Sequence, residues 1–252
     1  MGPTRPQKFL LSSVYNHIIF ILFKNRFIIR RLKRPAREGG KVTDRLADDN
    51  NIINIKLYHA GDREILINDI IFPGPRGSCD FGRGFYLAES RRTAEEWVVN
   101  KKSPVVNVYN LNVPKNEILY LSGTEWLKVV VGFRENKYRV RFKSPVVCGP
   151  IANDRMNIAL PLFMSGIIGD IRLLECLDYC KLGNQYLLRG SAEYLTFIES
   201  CQLRDSDLKI ALDNYNGRRK NMGSELIKIQ RAPVTGEKFI EDYLAEGDYI
   251  EP

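Results

Sequence analysis

A glycine-rich segment, Asp80-Phe81-Gly82-Arg83-Gly84-Phe85-Tyr86, constrains the fold of this chain more than any other stretch. Its two closely spaced glycines predict a tight turn, because glycine adopts backbone conformations that other residues avoid. The apolar residues that follow predict a short strand. Upstream, residues 53–59 alternate apolar and polar side chains and predict another strand, which ends at His59. A histidine and a tyrosine are therefore expected at the ends of two strands.

The rest of the pattern mixes strands and helices without regular alternation. This favours an α+β fold over a doubly wound parallel sheet. Ser90 predicts a helix N-cap, and Ala94, Trp97 and Val98 follow at helical spacing, which makes Trp97 a predicted core residue. Further strands are predicted at residues 105–113, 118–121, 138–147 and 185–188, and further helices at 155–165, 171–180, 192–198 and 237–243.

Charge divides the chain into three predicted regions. Residues 1–50 form a basic and apolar arm with a linker, residues 51–204 form the domain, and residues 205–252 form a polar C-terminal extension with a loop at 214–223. Within residues 1–45, eleven basic side chains face two acidic ones, a net charge of +9. Because the whole chain carries +8, the remainder carries −1. No nucleic-acid partner is expected for this near-neutral body.

The N-terminal arm has an apolar run at residues 9–23 that precedes a basic run at residues 24–34. The apolar run is shorter than the roughly 20 residues that a membrane-spanning helix needs. Three interpretations stay open: an arm outside the fold, an amphipathic helix at residues 9–34 on an anionic membrane surface, and a true span. We expect the protein to be cytoplasmic, with association to a membrane through residues 9–34 as an alternative.

The cysteines argue against disulfides and against a structural zinc site. The chain has five cysteines, two histidines and no Cys-x-x-Cys pair, so reduced thiols in a cytosolic protein are expected and no metal is predicted. Cys79 beside the glycine-rich turn is interpreted as a small buried thiol rather than as a nucleophile. Asp80 is expected to brace its own loop.

Three separated segments, in order, carry the functional prediction. They are Leu57-Tyr58-His59-Ala60-Gly61, the turn that ends in Tyr86, and Asn184-Gln185-Tyr186-Leu187-Leu188. The order His59, Tyr86, Gln185 resembles the NAD-binding triad in the His-Tyr-Glu branch of the ADP-ribosyltransferase superfamily. Trp97, the Gly149–Asp154 segment and the late Gln-Tyr strand also resemble an uncharacterised bacterial family within that superfamily, over about residues 55–203.

The resemblance implies a split β-sandwich with surrounding helices and an NAD cleft, with NAD as the substrate. His59, Tyr86 and Gln185 are the implied catalytic residues, through ribose hydrogen bonds and stacking on nicotinamide. The implied NAD-binding residues are His59, Ala60, Gly61, Gly84, Phe85, Tyr86 and Asp154. Asp154 has a second interpretation, as the cap of the helix predicted at 155–165.

A glutamine in place of the usual glutamate implies transfer of single ADP-ribose units or slow turnover, because an amide can bind a hydroxyl but cannot act as a base. The resembling family implies a toxin-type or effector-type protein with an intracellular protein acceptor, and leaves an antitoxin partner open. Two alternatives remain: a degenerate, non-catalytic domain that binds a nucleotide or a protein, and a membrane-surface interaction protein that acts through residues 9–34. Asp80-Phe81-Gly82 without a His-Arg-Asp loop argues against a protein kinase.

Overall fold

A seven-stranded sheet forms the centre of the protein. The computed structural model describes residues 51–74, 79–152, 159–180, 182–229 and 235–252. The nine described strands are β1 (Ile52–Gly61), β2 (Phe85–Ala88), β3 (Val105–Pro114), β4 (Ile118–Tyr120), β5 (Val140–Arg141), β6 (Val146–Pro150), β7 (Asn184–Leu188), β8 (Leu195–Gln202) and β9 (Tyr249–Ile250). The strand order is β4-β6-β7-β2-β1-β3-β8, and β5 pairs with β9 separately. Only β4–β6 and β5–β9 are parallel pairs in the described part of the chain.

Helices surround this sheet, so the predicted α+β class is confirmed. The six described α-helices are α1 (Arg91–Trp97), α2 (Gly123–Glu135), α3 (Ala159–Met164), α4 (Asp170–Cys180), α5 (Asp205–Ile229) and α6 (Ile240–Ala245). Helix α1 begins as predicted, because the Ser90 hydroxyl accepts a hydrogen bond from the backbone N–H of Thr93 at 3.3 Å. This cap satisfies a backbone donor that has no partner within the helix.

The longest pairing in the sheet joins β1 to β3. Ten successive residue pairs connect them, from Ile52 opposite Pro114 to Gly61 opposite Val105. Residues of β1 alternate between exposed and more buried positions, as the sequence pattern predicts, whereas most of β3 is buried. The β1 strand is thereby held rigidly up to the end that carries His59.

Apolar clusters cover both faces of the sheet. Trp126, Leu127 and Phe163 belong to one cluster, which joins α2 and α3 to β7 through Leu187. Leu57 and Leu111 belong to the other. Burial of a large apolar side chain contributes about 1.5–3 kcal/mol, so these clusters provide most of the driving force that holds the sheet between its covering elements.

Three secondary-structure predictions need correction. Of residues 192–198, predicted as a helix, residues 195–198 begin strand β8, because β3 offers a backbone edge with which Leu195 and its successors pair. Residues 214–223, predicted as a loop, lie inside α5. The single strand predicted at 138–147 is divided into β5 and the start of β6.

Helix α5 contains Gly217, and side chains on one face of the helix attach it to the rest of the domain. Ala211, buried at 1 %, and Arg218 are seven residues apart and so lie on the same face, and Arg218 forms an ion pair with Glu96 of α1. A glycine inside a helix costs about 1 kcal/mol relative to alanine. Tertiary contacts therefore override a local preference for a loop.

The chain divides into two units, Met1–Arg45 and Leu46–Pro252, and all described residues belong to the second. Tyr243 and Tyr249, in the predicted C-terminal extension, are buried in the core. The Glu251 carboxylate accepts backbone hydrogen bonds from Lys143 and Ser144 and a hydroxyl hydrogen bond from Ser144. The predicted arm at residues 9–34 lies outside the described residues. Among the helices within them, none is long and apolar enough to cross a membrane.

Candidate active site

The candidate site lies where the sheet divides between β1 and β2. These strands share one residue pair, Tyr58 opposite Ala88, whereas β1 pairs with β3 over its whole length and β2 pairs with β7 over four residues. A cavity of about 540 Å³ opens beside this junction. Its lining includes four of the predicted site residues: His59, Ala60, Tyr86 and Gln185. Its size falls within the range of small-molecule sites.

His59 connects the two strands at the point where they separate. Its Nδ1 lies 2.8 Å from the carbonyl oxygen of Tyr86. A carbonyl can only accept, so Nδ1 carries the proton and donates it. Burial lowers the pKa of His59, and the hydrogen bond to Tyr86 offsets this only in part. The ring is therefore neutral near pH 7, and its Nε2 is an acceptor.

Tyr86 is fixed by its own hydroxyl group. The hydroxyl donates to the carbonyl oxygen of Gly82 at 2.7 Å and accepts from the backbone N–H of Phe81 at 3.0 Å. Burial is the main cause that raises the pKa of Tyr86, so the phenol stays protonated across the physiological range. Tyr86 can therefore offer a ring face to a ligand, but it cannot serve as a base.

Gln185 directs its amide nitrogen away from solvent. Nε2 donates to Asp80 Oδ2 at 2.7 Å and to the Pro150 carbonyl oxygen at 3.2 Å. Asp80, 7 % exposed, also accepts from the Ala152 backbone N–H at 3.3 Å and from the guanidinium of Arg134. Asp80 therefore supplies a carboxylate to this site. The sequence predicts only that Asp80 braces its own loop, whereas in the structure it also binds residues of three other segments.

Arg134 is a residue of the candidate site that the sequence analysis missed. It lies near the end of α2, lines the cavity, and binds Asp80 through Nε at 3.1 Å and through Nη2, which also donates to the Ala152 carbonyl at 3.1 Å. The available sequence signal was Ser122 followed by Glu125 before an apolar run, a pattern typical of a helix start. That signal identifies the helix, but not the partner of its arginine.

Three other predicted NAD-binding residues, Gly61, Gly84 and Phe85, lie next to the lining of the cavity and not in it. Phe85 stacks on the His59 ring, with centroids 4.5 Å apart and planes 21° apart. Gly84 allows β2 to approach β7, since a Cβ there would lie 2.3 Å from the Leu188 carbonyl oxygen. A Cβ on Gly61 would lie 3.8 Å from His59 Nε2. Asp154 lies outside the described residues.

The rim of the cavity is aromatic and basic. Trp97 was predicted as a core residue, but it is 47 % exposed and lines the cavity with Lys101, the residue four positions later. Trp97 ends helix α1, and the turn after it places both side chains at the same opening. An exposed tryptophan face and an ammonium group can bind a planar ring and an anionic group.

Cys79 also lines the cavity and is half-buried. Burial and then the charge of Asp80 raise the pKa of its thiol, while Arg134 opposes the rise. The thiol therefore stays protonated near pH 7. Cys79 is less buried than the sequence predicts, and its lack of reactivity stays a prediction. Within the described ranges no group of three or more His, Cys, Asp or Glu side chains could hold a metal ion.

Comparison with known proteins assigns a family without a function. Residues 55–198 match the family described as "Protein of unknown function (DUF3990)", and the chain belongs to this family. No curated protein and no solved structure matches the chain significantly. The matched range contains all the cavity residues discussed above, so the site is part of the family's domain.

Proposed function

We propose that this protein binds NAD and is an ADP-ribosyltransferase-like enzyme that transfers single ADP-ribose units to a protein acceptor. In this reaction the bond between nicotinamide N1 and the ribose anomeric carbon breaks, and nicotinamide leaves with the electron pair as a neutral molecule. The acceptor nucleophile forms the new bond to the anomeric carbon and releases its proton to solvent. An acid on the leaving group is unnecessary, so positioning of the dinucleotide is the main requirement.

The observation that carries the proposal is a pair of fixed acceptors in one cavity. His59 Nε2 is an acceptor because Nδ1 donates to Tyr86. Asp80 and Pro150 hold Nε2 of Gln185, so the other amide atom, Oε1, is the acceptor. Oε1 has no hydrogen-bond partner within the described part of the chain. Two acceptors suit the vicinal hydroxyl groups of a ribose, which can donate to both.

The fold and the lining add support. Strands β1 and β2 share a single residue pair, which supports a cleft between the two parts of the sheet. The fixed ring of Tyr86 lines the same cavity as the two acceptors and can stack on nicotinamide. Lys101 at the rim can attract the pyrophosphate.

A second candidate function is NAD binding without turnover, and the arrangement around Asp80 favours it. Bond cleavage develops positive charge on the ribose, which a free carboxylate would stabilise. The Asp80 carboxylate is balanced by Arg134 at hydrogen-bond distance, and Gln185 is uncharged. If Asp80 is the nearest carboxylate to the ribose, binding without release of nicotinamide is the expected behaviour.

Calorimetric titration with NAD tests the proposal. The wild type should bind NAD, and His59→Ala should bind at least about tenfold more weakly, because a hydrogen bond of about 1.4 kcal/mol is lost. The control is His17→Ala, which changes the other histidine of the chain and should bind as the wild type does. Chromatography of the same mixtures measures nicotinamide release.

The two candidate functions differ in that second measurement. Release of nicotinamide by the wild type, with loss in His59→Ala, supports the enzyme. Binding without release supports the second candidate. No heat of binding at millimolar NAD, or equal affinity in His59→Ala and the wild type, contradicts both.

A further inference from the structure

The orientation of the Gln185 amide is determined by its two acceptors. Asp80 Oδ2 lies 2.7 Å from Nε2 and the Pro150 carbonyl oxygen lies 3.2 Å from it. Neither atom can donate while Asp80 is ionised. Turning the amide over would place Oε1 against two acceptors, so the nitrogen points inward and Oε1 remains for the cavity.

Asp80 is able to impose this orientation because its own position is fixed by donors from three other parts of the chain. Besides Gln185 on β7, its donors are Arg134 on α2 and the backbone N–H of Ala152 after β6. Asp80 itself lies in the turn before β2. The side chains of Asp80 and Arg134 are 8 % and 13 % exposed. Water therefore competes little for the carboxylate, and charge-assisted hydrogen bonds in such surroundings are strong.

We infer that Asp80 is a positioning residue for Gln185: its carboxylate holds the amide with the carbonyl oxygen toward the cavity and excludes a second carboxylate at position 185. The relevance to NAD depends on the function proposed above, whereas the Asp80–Gln185 pairing does not. The pairing also gives a physical reason for a glutamine where the resembling branch has a glutamate. At this separation an amide is attracted to Asp80, and an ionised carboxylate would be repelled.

The pairing predicts how a glutamate at position 185 would behave. Two carboxylates about 3 Å apart cannot both be ionised without a large penalty, so they share a proton and one pKa rises. A carboxyl whose pKa is higher in the folded state than in the unfolded state stabilises the fold at low pH and loses that contribution as pH rises. Gln185→Glu should therefore become less stable, relative to the wild type, as pH rises from 5 to 8.

Melting temperatures at pH 5, 6.5 and 8 test this with four proteins: the wild type, Gln185→Glu, Gln185→Met and the Asp80→Asn/Gln185→Glu double variant. Gln185→Glu should lose about 5 °C more than the wild type between pH 5 and 8. Gln185→Met removes the amide without adding charge and should follow the wild-type pH profile. The double variant carries one carboxylate instead of two, so the extra loss should disappear.

Other ionisable groups near Asp80 do not produce this result. Cys79 and Tyr86 have raised pKa values and remain neutral, Arg134 remains charged, and His59 is present in every variant. A Gln185→Glu profile that parallels the wild type contradicts the inference, and so does an extra loss that persists in the double variant. If the double variant does not fold, the comparison of Gln185→Glu with Gln185→Met still decides.

NAD affinity measures the consequence for the cavity. Asp80→Asn and Gln185→Met should each weaken NAD binding about three- to tenfold, and their combination should weaken it no further, because both act on the same carbonyl oxygen. Additive losses contradict a positioning role. Absence of NAD binding in the wild type refutes the proposed function but leaves the pH profiles as an independent test of the pairing.

Discussion

Two buried carboxylates are held in different ways: Asp80, which lines the cavity, and Glu96, which precedes Trp97 in helix α1. Asp80 accepts hydrogen bonds from Gln185, Arg134 and the backbone of Ala152. Glu96, 3 % exposed in α1, receives no well-aligned hydrogen bond from the described residues, although Arg218 lies at 2.9 Å and Arg92 at 3.5 Å from Oε1. Burial accordingly raises the pKa of Glu96, and the two arginines oppose the rise.

The difference separates a carboxylate that is held by directional hydrogen bonds from one that is held mainly by charge. Asp80 has directional partners from several elements, so the positions of Gln185 and Arg134 are specified. Glu96 links α1 to α5 mainly by Coulomb attraction, which specifies little geometry. Helix α1, which also carries Trp97 at the rim, is positioned instead by the buried side chains of Thr93 and Ala94. Glu96 therefore specifies the rim less than Asp80 specifies the floor of the cavity, the name used here for Asp80, Gln185 and Arg134.

The largest expected effect is a difference in stability between two matched neutral substitutions. Asp80→Asn should lower the free energy of unfolding by about 3 kcal/mol, because it removes a charged hydrogen-bond partner of a largely buried arginine and places an amide among donors. Glu96→Gln should cost about 1 kcal/mol or less, since Arg92 is about half exposed, Glu96 has no well-aligned hydrogen bond to lose, and a desolvated charge is removed. Urea denaturation at pH 7 measures both, and equal costs would remove the distinction between floor and rim.

A smaller effect is expected in the pH dependence of the rim. The folded-state pKa of Glu96 is raised above its ordinary value of 4.5, so the folded protein binds this proton more tightly than the unfolded chain does. The wild type should therefore gain stability relative to Glu96→Gln as pH falls from 7.5 toward 4.5, with the full gain present below that value. Melting curves of both proteins across this range test it, and a constant difference would contradict the raised pKa.

Local pattern was enough to predict the strands that carry the site. The alternation before His59, the two glycines before Phe85 and the Ser90 cap each express a preference within a few residues. The structure has β1, β2 and α1 there. The sequence also predicted that His59, Tyr86 and Gln185 form one site, and the three side chains line one cavity.

The partners of those residues could not be predicted in the same way. Asp80 lies 105 residues from Gln185 and 54 from Arg134, so no local spacing relates them. Strand β8 was missed because its edge pairing with β3 overrides its local helical pattern. Trp97 is a different case. Its spacing correctly predicted a helix, but whether its side chain faces the core or the cavity depends on where the sheet divides.

The most direct test of the central claim is the state of His59 in solution. The chain has two histidines, so a spectrum of protein labelled with 15N-histidine contains two rings, and a His17→Gln variant assigns them. At pH 7 the His59 ring should be neutral, with the proton on Nδ1 and a bare Nε2, and saturating NAD should shift the Nε2 resonance as it accepts a ribose hydroxyl. A proton on Nε2, or a spectrum that NAD leaves unchanged, would contradict the account.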